Sequence, residues 1–111
     1  MTPAWRAARQ AGVKIALGSD VSLAAGLEIQ RMVHHGLTPA QALVAATKTA
    51  AGALDLDEHI GTVASGKLAD LIIVDGDPLA DPRLFTDPAR IWLVLQAGVP
   101  VAGQALLNPP P

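Results

Sequence analysis

With 111 residues, no cysteine and a formal net charge of -2, the chain has room for one domain but for no disulfide and no thiolate chemistry. A pI near 5.8 and only 3% aromatic residues exclude a basic or base-stacking nucleic-acid surface. Half the residues are hydrophobic, which excludes disorder throughout, and charge, Gly or Pro interrupts every apolar run well short of a bilayer crossing. The start, Met1-Thr2-Pro3-Ala4-Trp5-Arg6, lacks the basic-then-apolar layout of a leader, so a soluble, reducing, cytoplasmic setting is expected. A mean hydropathy of +0.36 is high for a small domain, so much apolar surface is expected to meet further polypeptide.

In chain order, Trp5 to Gln10 reads as the end of a helix, stopped at Gly12. Val13-Lys14-Ile15-Ala16-Leu17 reads as a short strand ended by Gly18-Ser19-Asp20, and residues 21–26 as a loop. Leu27 to His35, with apolar residues at Leu27, Ile29, Met32 and Val33 and Gly36 behind it, reads as a short helix. Thr38-Pro39-Ala40-Gln41 is a helix start: a threonine cap, proline in the first turn and glutamine placed for a capping box. One alanine-rich helix is predicted from there through Leu54.

After Asp57 the pattern changes. Gly61-Thr62-Val63 reads as a short strand and Ser65-Gly66-Lys67 as a turn. Leu71-Ile72-Ile73-Val74 is a strong β run closed by Asp75-Gly76-Asp77-Pro78. Residues 83–90 read as irregular or a helical turn, and 91–96 as another strand. Ala97-Gly98-Val99-Pro100 turns into Val101-Ala102-Gly103, and the proline-ended tail is expected to fray. The first half thus looks like one βα unit of a parallel fold and the second like antiparallel β structure. Neither closes on itself, since a lone parallel strand needs parallel neighbours.

Few residues suggest chemistry. Asp20 directly follows a strand-like run, where α/β folds place functional carboxylates that bind metal or take a proton. By spacing alone, the commoner use of such an aspartate is a turn or a helix cap. His34 and His35 are adjacent, about 100° apart on a helix, and so do not face one ligand; a place in the last helical turn explains them better. His59 sits in a polar loop. Asp75, Asp77, Asp81 and Asp87 lack the order and terminal glutamate of a calcium loop and read as turn formers.

Three stretches together resemble the amidohydrolase superfamily. Gly12-Val13-Lys14-Ile15-Ala16-Leu17-Gly18-Ser19-Asp20 looks like its last barrel strand, commonly "GVxIALGTD", with Ser19 in place of threonine. Gly36-Leu37-Thr38-Pro39-Ala40-Gln41-Ala42-Leu43 through Ala45-Ala46-Thr47 resembles the helix that follows. Ile60-Gly61-Thr62-Val63 with Gly66-Lys67-Leu68-Ala69-Asp70-Leu71 resembles the "IGT…GKxAD" entry into a small β-sandwich. The flavour is that of the imidazolonepropionase and Xaa-Pro dipeptidase-like branch.

The resemblance implies an α/β fold: the last βα unit of a TIM-type (β/α)8 barrel, then C-terminal strands of a small β-sandwich, incomplete as a stand-alone fold. It implies barrel over residues 1–57, sandwich over 58–106 and a disordered tail over 107–111. It gives Asp20 the roles of metal ligand and catalytic proton acceptor, with a divalent metal, zinc being expected, in the complete enzyme. The family's H-x-H pair, metal-binding lysine and further histidines have no counterpart here, so this chain alone is not expected to bind the metal well or to be active. The implied activity of the whole is hydrolysis of a C–N bond in a small amide, cyclic amide or dipeptide by metal-activated water. The alternative is a non-catalytic module that oligomerises with its own copies or docks to a complementary barrel fragment. No nucleic-acid or membrane partner is expected.

Overall fold

The computed structural model describes residues 2–19 and 25–109. Four helices precede a three-stranded sheet. Thr2 caps α1 (Pro3–Gln10) by accepting from the Trp5 amide. Helix α2 spans Ala25–His34 and begins two residues earlier than the sequence predicts. It ends in a Schellman pair, the Leu37 amide to the Met32 carbonyl and the Gly36 amide to the Val33 carbonyl. Helix α3 (Pro39–Ala46) starts with the expected capping box, Gln41 N–H to Thr38 Oγ1 and Thr38 N–H to Gln41 Oε1.

Two predicted strands do not form. Residues 13–17 run without strand pairing after α1, because no parallel neighbour lies beside them. Residues 60–62 form bends, and Val63, outside any regular element, is 87% exposed. The single helix predicted through Leu54 is in fact two. It breaks at Thr47, whose backbone leaves the helical region, and resumes as α4 (Lys48–Ala53).

The remaining β structure follows the sequence closely. Strands β1 (Leu71–Val74), β2 (Ile91–Gln96) and β3 (Val99–Ala102) form one antiparallel sheet in the order β1-β2-β3. Ile72 faces Val94, and Val94 faces Ala102, with an irregularity in each ladder. Two 3₁₀ turns, Pro82–Thr86 and Pro88–Arg90, fill the crossing between β1 and β2. Ala97 and Gly98 both have positive φ, 50° and 79°, as a two-residue hairpin turn requires. Pro100 therefore lies inside β3, an edge strand, where its missing N–H is tolerated. A short helix that the sequence reading lacks, α5 (Gln104–Leu107), packs back on β2 and β3.

Among the described residues the buried core is small: Ile29, Ala42, Ala45, Ala51 and Leu84. Three of these are alanines, which let α2, α3 and α4 approach closely. Leu84 belongs to the first 3₁₀ turn, which packs on α2 and ties the helical half to the sheet. The approach is tightest at Gly26, where an added Cβ would lie 2.5 Å from the Phe85 carbonyl oxygen. Four residues on, Gln30 Nε2 donates to Thr86 Oγ1 at 3.1 Å. By contrast, Ile72, Ile73, Trp92, Val99 and Val101 of the sheet stay exposed.

Candidate functional site

The extended segment 13–19 is the stretch the sequence singles out. Backbone bonds hold it at two points, the Val13 amide to the Ala8 carbonyl and the Leu17 amide to the Ala45 carbonyl. Among the described residues, Lys14, Ile15 and Ala16 form no backbone hydrogen bond. The segment borders an open groove of about 630 Å³ between α1 and α3. Val13, Ile15, Leu37 and Val44 supply its apolar surface, and Arg6 and Arg9 stand on the α1 side. Asp20, the residue assigned metal and catalytic roles by resemblance, lies outside the described residues.

The histidines stand where the helix-end reading puts them. His34 is the last residue of α2 and His35 follows it. Their rings meet edge to face at 5.3 Å, and His35 meets Trp5 at 6.4 Å. Trp5 Nε1 donates to the His35 carbonyl at 2.8 Å, so this pair clasps α1 to the end of α2. His59 is exposed, and its backbone carbonyl accepts from the Leu68 amide. Among the described residues, no three His, Cys, Asp or Glu side chains gather closely enough to hold a metal ion. A catalytic zinc normally takes three protein ligands, so the described residues do not by themselves fit that group.

The aspartates after β1 are turn formers, as their spacing suggests. Asp77 Oδ1 accepts from the Leu79 amide and Asp87 Oδ1 from the Ala89 amide. Asp81 Oδ1 accepts from both the Arg83 amide, at 3.2 Å, and Arg83 Nε, at 2.9 Å. The Arg83 side-chain bond holds the Asp81 carboxyl below its ordinary value, while partial desolvation opposes this.

The residues of the third motif also have local structural work. Lys67 Nζ donates to Thr62 Oγ1 at 2.7 Å, closing the loop between them. Asp70 Oδ1 accepts the Ala97 amide at 2.8 Å, and the Ala69 carbonyl accepts the Gly98 amide at 3.0 Å. This pair of bonds braces the hairpin turn from the start of β1. The Arg90 guanidinium donates through Nε to the Asp75 carbonyl at 2.6 Å and supports the loop that leaves β1. The sequence marks these residue types, but the partners of Ala69, Asp70 and Arg90 lie 15 to 29 positions away and no local pattern points to them.

Comparison with known proteins gives a consistent result. The model of the Amidohydrolase family matches residues 1–101. Ochratoxinase from Aspergillus niger is 34% identical over 99 residues, which are 86% of this chain and 21% of the relative. Its crystal structure superposes with a TM-score of 0.81 over 90% of this chain and 24% of that one. A Xaa-Pro dipeptidase with methionine bound in its active site gives a TM-score of 0.81 at 33% identity, covering 90% of this chain and 25% of that one. Imidazolonepropionase from Symbiobacterium thermophilum is 36% identical over 76 residues, 68% of this chain and 17% of the relative. The chain spans about a fifth of the length of the curated relatives it matches.

Proposed function

The chain belongs to the amidohydrolase family, and from that premise we propose that it is the C-terminal portion of a metal-dependent hydrolase acting on a C–N bond. The observation that carries this is the likeness to ochratoxinase, 34% identical with a TM-score of 0.81 over 90% of this chain. Relatives that include a Xaa-Pro dipeptidase and an imidazolonepropionase favour a small amide, cyclic amide or dipeptide as substrate. In this reading residues 1–57 belong to a barrel, 58–106 to a composite β-sandwich and 107–111 to a tail. Residues 13–20 correspond to its last barrel strand.

Asp20 is the residue of this chain that we assign to a divalent metal, zinc by expectation, and to proton transfer at its carboxylate. The other ligands must come from polypeptide outside this chain, because the described residues supply no set of three. The test is capture of the native cytoplasmic product with an antibody against residues 60–71, followed by mass and metal measurement. The expected result is a mass or complex far above 11.4 kDa with divalent metal bound. Asp20→Asn in that assembly is expected to lower metal affinity and hydrolysis by at least about 10–100-fold, the range seen for groups that only support a ligand. A metal-free 11.4 kDa product would overturn the reading.

A second reading, a non-catalytic docking or self-associating module, accounts equally for one observation. The chain exposes 7602 Å², whereas a compact monomer of this mass exposes about 5,800 Å². A metal-free oligomer in the same capture would select it.

A further inference from the structure

We propose that Thr47 is a positioning residue for the extended segment 13–19: by breaking the helix between α3 and α4, it frees the Ala45 carbonyl to hold Leu17. The last four carbonyls of an α-helix lack partners within it. In α3 these belong to Leu43, Val44, Ala45 and Ala46. Thr47 serves two of them. Its hydroxyl donates to the Leu43 carbonyl at 2.7 Å, and its amide donates to the Val44 carbonyl at 3.3 Å. The amide of a continuous helix would instead bond Leu43, four residues back. The hydroxyl therefore takes the place of the bond that the break gives up.

The Ala45 carbonyl is met from outside the helix, by the Leu17 amide at 2.9 Å. Ala45 is 3% exposed, so the bond is made where an unmet carbonyl would be costly. It holds the chain three residues before Asp20. Among the described residues, Lys14, Ile15 and Ala16 have no such anchor. A continuous helix would offer the Ala45 carbonyl the Thr49 amide, so straightening at Thr47 competes directly with the Leu17 anchor. The functional meaning rests on the assignment of Asp20 above, but the structural claim concerns Leu17 and Thr47 alone.

Amide hydrogen exchange in the 111-residue chain tests this, with the Lys14, Ile15 and Ala16 amides as unbonded internal references. Wild-type Leu17 is expected to exchange more slowly than those three. Thr47→Val keeps the branched shape and removes the hydroxyl; it is expected to speed Leu17 exchange about fivefold, leaving the Leu93 and Val94 amides of β2 unchanged. Thr47→Ser is expected to restore the wild-type rate. Unchanged Leu17 exchange in Thr47→Val, failure of serine to restore it, or an equal rise at Leu17 and in β2 would each overturn the proposal. Failure of the Asp20 assignment is read separately, as unchanged metal content in Asp20→Asn.

Discussion

Asp81 shows how one half-buried carboxylate organises a junction. It caps the 3₁₀ turn that carries Leu84 into the core, and it binds Arg83 through both backbone and side chain. The bond to Arg83 lowers the Asp81 pKa below the ordinary aspartate value. A group whose folded pKa is depressed adds stability above its unfolded pKa and loses it as pH falls through the folded value. The turn is therefore expected to stay capped at neutral pH and to fray as pH falls below about 4. In an NMR titration, the Asp81 carboxyl should titrate below the ordinary aspartate value, and the Arg83 amide should shift with it. Asp81→Asn keeps an accepting oxygen for the amide but loses the ion pair, so its acid fraying should vanish. A midpoint for Asp81 at the ordinary aspartate value would refute the account.

Between elements, the contact of α2 with the first 3₁₀ turn joins the two halves of the chain. Glycine inside a helix normally costs about 1 kcal/mol against alanine. Gly26→Ala would therefore stabilise α2 taken alone. Here the new methyl would meet the Phe85 carbonyl at 2.5 Å, and backbone on both sides cannot move aside as a flexible side chain can. Overpacking of this kind costs typically about 1–3 kcal/mol, so the contact outweighs the propensity. Gly26→Ala is expected to lower unfolding stability by about 1 kcal/mol in urea titration and to loosen the Gln30–Thr86 bond. A stabilised variant would show that the 3₁₀ turn does not rest on α2 in solution. Sequence shows Gly26 only as a glycine near a helix start; what makes it necessary is Phe85, 59 residues away in the chain.

For the whole molecule, surface decides. The area beyond that of a compact monomer is about 1,800 Å², more than the ~800 Å² per partner of a standard protein interface. It includes exposed apolar residues on the sheet and along the groove, the pattern expected of faces made to be covered. The chain purified alone is therefore expected to self-associate above monomer mass in sedimentation equilibrium at micromolar concentration, and to bind an apolar dye. A clean monomer without dye binding would mean that these faces are stable in water as they stand.

What could be read directly from the amino acids is what residues within about five positions settle among themselves. The Thr38–Gln41 capping box, the glycine-ended α2, the Asp77, Asp81 and Asp87 turns and the β runs of β1 and β2 are of this kind. Family membership was legible too, because the three motifs fall in order along one chain. Contacts between distant residues decided the rest. The run 13–17 has the composition of a strand but pairs only where neighbouring strands exist. The alanine-rich helix has the composition to continue past Thr47, yet it breaks where Thr47 and Leu17 take over the carbonyls of α3. Asp70 looks like a motif carboxylate and proves to brace Ala97 across 27 residues. Local hydrogen-bond chemistry is written in adjacent residues; pairing, helix breaks and close approach depend on which distant groups arrive, and only the folded chain brings them together.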